Sequence, residues 1–505
     1  MFLPPTMTSA WAAPCQRDSI VIAVEQNPPL LDPVGATTSI AYRVIYSIFD
    51  PLIWMDYGDG FKLKPGLATG WQRIDDRTVD LSLRENVRYQ DGSPLTAASV
   101  AFSFSESRLG RPGSPLFALS RPFLGTIASV VVIDSHTVRF IANGPDPLLE
   151  YRLAGWMSQP VSQAAFEAAS GFDVWARAPV GTGPYRVHAL VPGDRIELIA
   201  NDDYWRGIPR YRSITFQVVP EQAARVAGLV SGRYDLITNL DPDLFDYVLS
   251  YPELDVVGGP VGNHRLIAFG TKHTELAKPA IRRAMSLAID RDLLVRAFWR
   301  GLVSVSPGMQ SETFGDMFVG DYRGVPYDPA RARALISSSG YQNQEIRYLI
   351  QKNAYTAELM TSEAIVAMWR DVGLNVRLEI KDNWGQILTP ASDFVFNTSV
   401  IAIYPDPIGQ LWRYFGEHAR VQKADVWTND AFNRNGRLME KSADASVRRE
   451  AFRRMLEIAE WEDPAYAVLH TYSLFYGKRR GLEWAPIVGP FMQFPVQADE
   501  LGCEQ

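Results

Sequence analysis

Only two cysteines occur in 505 residues, Cys15 and Cys503, one near each end of the chain. Two thiols fall short of the four ligands that a structural zinc site needs. In an oxidising compartment the pair could join the termini; in a reducing one they would be two separate surface thiols. No run approaches 18 consecutive apolar residues, so no segment reads as a bilayer-spanning helix. Basic residues are in the minority, with 50 Lys and Arg against 57 Asp and Glu and a formal net charge of -7. A nucleic-acid-binding face needs the opposite sign to neutralise phosphates, so no nucleic-acid partner is expected. Histidine is scarce: His136, His188, His264, His273, His418 and His470 are scattered without metal-ligand spacing and read as surface or satisfied packing residues. No G-x-S-x-G elbow, H-E-x-x-H pair or P-loop is present, and the expectation is a protein that is not an enzyme. Internal repeats and low-complexity linkers are missing too.

What is present is ordinary globular material, 47% hydrophobic and 21% charged. The length exceeds what one hydrophobic core serves and predicts two to four compact units. Residues 1–18 read as a leader. Ala10-Trp11-Ala12 has the small-residue pattern that ends export signals, but the basic n-region and the apolar stretch of a full signal are missing. The segment is either a truncated signal or a leader with no such role. Pro14 stands where a lipoprotein signal wants a small residue, so Cys15 is not read as lipidated.

Strand and helix signals alternate, which predicts an α/β fold. Ile20 to Val24 is a short apolar run suited to a strand buried on both faces. Thr78 to Arg84, Val138 with Phe140, and Leu374 to Ile380 alternate as half-buried strands do. Ala280 to Arg300 carries Ile281, Ala284, Met285, Ala288 and Ile289 on one stripe and reads as a single long helix after Pro279. Further helices are predicted from Asp328-Pro329 to Gly340, from Thr356 to Asp371, and from Val447 to Glu460.

Pro65 to Trp71 (PGLATGW), Leu83 to Val100 (LRENVRYQDGSPLTAASV), Pro179 to Tyr185 (PVGTGPY), Asn201 to Trp205 (NDDYW), Ser231 to Asp235 (SGRYD), Ile281 to Arg291 (IRRAMSLAIDR), Tyr327 to Leu335 (YDPARARAL) and Tyr404 to Pro407 (YPDP) stand in one order. Together they closely resemble the signature of family 5 extracellular solute-binding proteins of ABC transporters, the group of dipeptide, oligopeptide and nickel receptors. Ala98-Ser99 departs from that group's usual Ala-Asp. Most of these motifs also read as structure. Asp91-Gly92 is a tight-turn dipeptide, Gly181 to Pro184 lacks the Lys-Ser/Thr of a phosphate cradle and reads as a turn, and Trp71 and Trp205 read as packing.

The resemblance implies a two-lobed periplasmic-binding-protein fold of type II, with the extra domain of the peptide-binding cluster and a ligand cleft between lobes. Lobe I would hold 19–55, 176–262 and 474–505; lobe II, 56–175; lobe III, 263–473. The chain would cross between the large lobes near Gly259 to Arg265 and near His470 to Gly477, a hinge that closes on solute. Both ends would then lie in lobe I, which makes a Cys15–Cys503 disulfide reasonable. The implied protein is a periplasmic monomer without a cofactor, serving an inner-membrane ABC permease. Its implied ligand-facing residues are Asn27, Thr238, Asn239, Asn263, His264, Arg265, Trp384, Asn397, Ser399, Ile403 and Tyr404. Arg265 would hold a carboxylate or phosphate, or else form an interlobe salt bridge or stand solvated; Trp384 would stack on ligand, or else pack in the core. Peptide receptors of the family pair the peptide ammonium with an aspartate three residues before the acid of the YPDP element. Here that place holds Ile403, or Ala402 with a one-residue slip. A buried ammonium without a carboxylate is costly. The expected ligand is therefore a sugar conjugate, an opine-like acid or a modified peptide; a free di- or oligopeptide and a nickel chelate or haem are the alternatives.

Overall fold

Two strands much longer than the rest organise the molecule, Leu254–Phe269 with 16 residues and Tyr466–Arg479 with 14, paired antiparallel. The computed structural model describes residues 19–35, 39–110, 115–387, 393–489 and 491–497. The leader 1–18, Cys15 and Cys503 lie outside the described residues.

The long pair sits inside a ten-stranded mixed sheet. On one side Leu254–Phe269 pairs with Val395–Ile401, followed by Ile346–Gln351 and Val376–Lys381. On the other side Tyr466–Arg479 pairs with Leu236–Ile237, followed by Ser19–Val24, Ser213–Val218, Arg195–Ala200 and Tyr185–Val191. Ser19–Val24 lies between two parallel neighbours, and Ile20 and Ile22 are fully buried, as the apolar run predicts. A separate antiparallel sheet runs Ala68–Asp75, Thr78–Leu83, Thr137–Ala142, Ile127–Val132. Its alternation is the predicted one, with Val79, Leu81, Val138 and Phe140 turned inward. Along the edge strand Val376–Lys381 the predicted face is buried at Val376, half-buried at Leu378 and exposed at Ile380.

The predicted helix over Ala280 to Arg300 is two helices, Pro279–Leu287 and Arg291–Trp299. Asp290 accepts the Leu293 N–H at 2.9 Å and caps the second, so a competing N-cap overrides the continuous apolar stripe. Asp328 caps Pro329–Ser338 as expected, and Gly340 takes positive φ just past its end. Glu358–Asp371 starts two residues later than the spacing predicts, after Ala357 in the left-handed region. The helix predicted at Val447 is Ala445–Glu457, capped by Asp444.

The family-like motifs converge on buried Asp50. Its carboxylate accepts from Thr182 Oγ1 at 2.9 Å, Tyr204 Oη at 2.8 Å and Trp205 Nε1 at 2.9 Å, so three distant segments are tied to one point. A Cβ on Gly181 would stand 2.2 Å from the Ile48 carbonyl oxygen, and one on Gly183 2.5 Å from its carbonyl carbon. The glycines are there for close backbone approach, the structural reading of that motif. Three apolar clusters result. One surrounds Ser19–Val24 and its sheet neighbours; one lies under helices Pro279–Leu287 and Glu358–Asp371; the largest is continuous from the small sheet into residues 394–468.

Candidate ligand-binding cleft

Strand ends and the loops beyond them bring two polar centres to the long strand pair. At the first, Glu25 follows strand Ser19–Val24 and Arg43 lies on helix Ser39–Ile48. Arg43 Nη1 donates to both Glu25 oxygens at 2.8 and 2.9 Å, and Nη2 donates to Asn239 Oδ1 at 2.8 Å. Thr238 Oγ1 and Asn239 Nδ2 donate to Glu25 at 2.9 and 3.0 Å. Burial opposes the Glu25 charge, but Arg43 and Arg225 together outweigh it and the carboxyl is held below the ordinary range.

At the second centre the Arg265 guanidinium carbon lies 3.4 Å from the Tyr355 ring centroid, and Nη1 donates to the Thr398 carbonyl at 3.2 Å. Nη2 is 3.6 Å from Glu358 Oε1. Asn397 Nδ2 and the Tyr355 N–H each donate to Glu358 at 3.1 Å. Burial pushes the Glu358 carboxyl up to about 7 although Arg265 pulls the other way. Tyr355 stands edge-on to Trp384 and Tyr472, with centroids 6.4 and 6.0 Å away. Asn263 Nδ2 donates to Ser399 Oγ at 3.2 Å, and the Thr398 and Tyr414 hydroxyls lie 2.7 Å apart. Asn263 Oδ1, Asn397 Oδ1 and Thr356 Oγ1 make no hydrogen bond among the described residues. Between the two centres the flanks touch. Gln351 donates to Gln26 at 3.4 Å, Asn353 to the Pro220 carbonyl at 3.2 Å, and the Ala357 N–H to Asp241 at 3.0 Å.

Of the residues singled out from the sequence, Thr238 and Asn239 join the first centre, and Asn263, Arg265, Asn397, Ser399 and Trp384 the second. Arg265 has a counter-charge in Glu358, and since both lie within 263–473 the pair is not the interlobe bridge expected as one of its readings. Trp384 is half-buried and packs on Tyr355. His264 is a satisfied packing residue, bonded to Ser306 and Gln410 and kept neutral by burial that lowers it to about 4. Ile403 and Tyr404 are 3% and 1% exposed within the largest apolar cluster. Asn27 is apart from both centres: its amide bonds Val191 O and Gly193 N across the turn of the hairpin that follows Tyr185. Sequence reasoning missed Glu25, Arg43, Tyr355 and Glu358. Tyr355 had one usable signal, its place in the loop at the carboxyl end of strand Ile346–Gln351, where ligands collect in open α/β sheets. Concave pockets of about 650 and 250 Å³ lie elsewhere, beside Trp54 and Trp484 and beside Arg291 and Glu460.

The profile of "Bacterial extracellular solute-binding proteins, family 5 Middle" matches residues 62–420. The chain belongs to that family. It is 27% identical over 377 residues to the glutathione-binding protein GsiB of Salmonella paratyphi A, covering 74% of this chain and 71% of that one. Among solved structures it is similar to the periplasmic binding protein DppA of Helicobacter pylori in complex with peptide STSA, at TM-score 0.83 and 20% identity, covering 95% of this chain and 98% of that one. It is likewise similar to the binding protein AgaA of A. tumefaciens R10 in complex with agropinic acid, at TM-score 0.81 and 21% identity, covering 93% and 95%. The mixed α/β fold is that of family 5 binding proteins. This family 5 chain is thus the substrate-binding protein of an ABC importer, in a family of non-enzymatic proteins that deliver solutes to the permease. No helix among the described residues is long and apolar enough to cross a membrane.

Proposed function

We propose that the chain captures, in the periplasm, a small solute that is not a peptide with a free N-terminus, by closing 19–55, 176–262 and 474–497 against 263–473. Strands Leu254–Phe269 and Tyr466–Arg479 are the hinge. Their pairing slips between Pro260 and Asn263 and again between Arg265 and Leu266, and such irregularities let a strand bend. Gly262 supplies a left-handed φ of 63° at that slip. Solute that touches both flanks only when they meet stabilises the closed form differentially.

The observation that carries the ligand reading is the state of the carboxylates. Glu25 is consumed by Arg43, Glu358 faces Arg265, and the place for an ammonium-pairing aspartate holds apolar Ile403. An ammonium entering at either centre would lose its water without gaining a free counter-ion, and Asp241, between the flanks, already accepts the Ala357 N–H at 3.0 Å. Calorimetric titration with unmodified di- and tripeptides is expected to give no binding below millimolar concentration. Micromolar affinity for any of them would sink the reading. The metal-chelate alternative draws no support from side-chain grouping, since no three His, Cys, Asp or Glu among the described residues are placed to hold an ion.

A further inference from the structure

Arg413 is a cation of this region with no carboxylate within 4 Å among the described residues and with one terminal nitrogen unspent. It lies half-buried on the short helix Leu411–Phe415, which packs against helix Pro115–Leu124. Nε donates to the Gly409 carbonyl at 3.1 Å and Nη2 to the Ile401 carbonyl at 3.0 Å. Nη1 makes no hydrogen bond, and no carboxylate comes within 4 Å, among the described residues. The guanidinium carbon stands 5.2 Å from the Phe123 ring centroid. The groups that act on its charge are the phenols of Tyr42, Tyr404 and Tyr414, which come from separate segments of the chain. Burial works against the charge, and neutral phenols do not supply the missing anion.

Most strongly buried arginines nearby have an acid within 4 Å; Arg225 and Arg291 have none among the described residues and donate to backbone carbonyls instead. Arg43 has Glu25, Arg265 has Glu358, Arg152 has Asp146 and Glu440, and Arg448 has Asp406. An arginine held by two backbone carbonyls, with one edge unused and aromatic groups around it, has the form of a preset socket for a planar anion. Tyr414 links it to the second centre, because its hydroxyl is 2.7 Å from Thr398, whose carbonyl receives Arg265.

We propose that Arg413 anchors a carboxylate of the solute, and hence that the transported compound is an organic acid whose nitrogen, where it has one, is acylated or alkylated. The inference rests on the capture reading above and narrows it to an anionic ligand class. Tyr355 and Trp384 would then face the uncharged body of the acid, and Asn263 and Ser399 its hydroxyl or amide groups.

The test is a thermal-shift panel at 10 mM on the wild type. It holds N-acetylated amino acids, N-acetylated dipeptides and opine-type acids including agropinic acid, each beside its amide, with the same dipeptides unblocked. An acid is expected to raise the melting temperature while its amide does not. Calorimetry on that acid should show R413Q weakened on the order of 100-fold and R413K recovering part of the loss. The acid-against-amide contrast is read on the wild type, so it decides even if R413Q does not fold. The inference fails if no acid shifts the melt, if acid and amide bind alike, or if folded R413Q binds the acid as the wild type does. A neutral compound that binds wild type and R413Q equally and contracts the molecule in solution scattering would remove the carboxylate and leave capture by closure intact. Tight binding of an unblocked peptide would remove the ligand reading itself.

Discussion

Arg43 and Arg413 face the same electrostatic problem and meet it differently. Arg43 is 1% exposed and spends both terminal nitrogens on Glu25 and Asn239, and Glu25 in turn takes Thr238 and Asn239. Arg413 is half-buried, spends two nitrogens on backbone carbonyls and has no acid. A charge-matched network offers a solute little, because only the buried Arg43 Nε is unpartnered and every other strong group would have to be unpaired before it could be used again. An open one costs folding energy that a bound anion can return. Pairing with an acid therefore separates a structural polar centre from a binding one, although both look alike as polar residues near a cleft.

The largest effect that would test this difference is on stability. Glu25→Ala leaves Arg43 buried without its counter-charge and should cost about 3–5 kcal/mol in urea unfolding. Arg413→Gln removes two hydrogen bonds but also a half-buried charge, and should cost about 1 kcal/mol or less in the same measurement. Equal losses would erase the distinction drawn between the two centres.

A second test uses pH at the Arg265 centre, which lies between these extremes. Burial raises Glu358 to about 7, so the folded protein keeps a proton that the unfolded chain releases near the ordinary carboxylate value. Its contribution is present in full at acid pH and is lost as pH rises through 7, by on the order of 3 kcal/mol. His264 and His470, lowered by burial to about 4 and about 3, act in the opposite sense, and their contribution is lost as pH falls below 6.5. Glu358→Gln leaves the histidine slope alone and deletes the carboxyl one. Stability of wild type minus variant should therefore fall between pH 5 and 7.5. A flat difference across that range would show Glu358 to be an ordinary ionised partner of Arg265.

The strands were legible wherever burial is one-sided or complete, as at Ile20 to Val24 and Val79 to Leu83, because alternation there records what each face touches. The break at Asp290 was not read, since Ile281 to Ile289 keep one stripe and only the cap interrupts it. The motifs around Gly181 and Asp91 read correctly as turns, because turn chemistry is local. The cleft was only partly legible. Ser399 and Asn263 follow from their strands, but the meeting of Tyr355 with Arg265, and of Arg413 with Phe123 and Tyr42, joins residues 90 to 370 positions apart. No local pattern encodes such a meeting, and that Arg413 has no acid beside it appears only once every neighbour is placed.

The smallest expected effect belongs to Asn27, which sequence alone placed with the ligand-facing set. Its side chain receives the Gly193 N–H at 3.0 Å and donates to Val191 O at 2.9 Å, so it staples the end of strand Ser19–Val24 to a hairpin turn. Both bonds are solvent-exposed, where water replaces a lost partner at little cost. Asn27→Ala should lower stability by about 0.5–1 kcal/mol and leave the affinity for any acid found in the thermal-shift panel unchanged. A tenfold loss of affinity in a variant that melts normally would extend the open, ligand-seeking surface past Gln26 and put the hairpin turn at its rim. The contrast between saturated and unsaturated polar groups would then have to be drawn at exposed sites as well as buried ones.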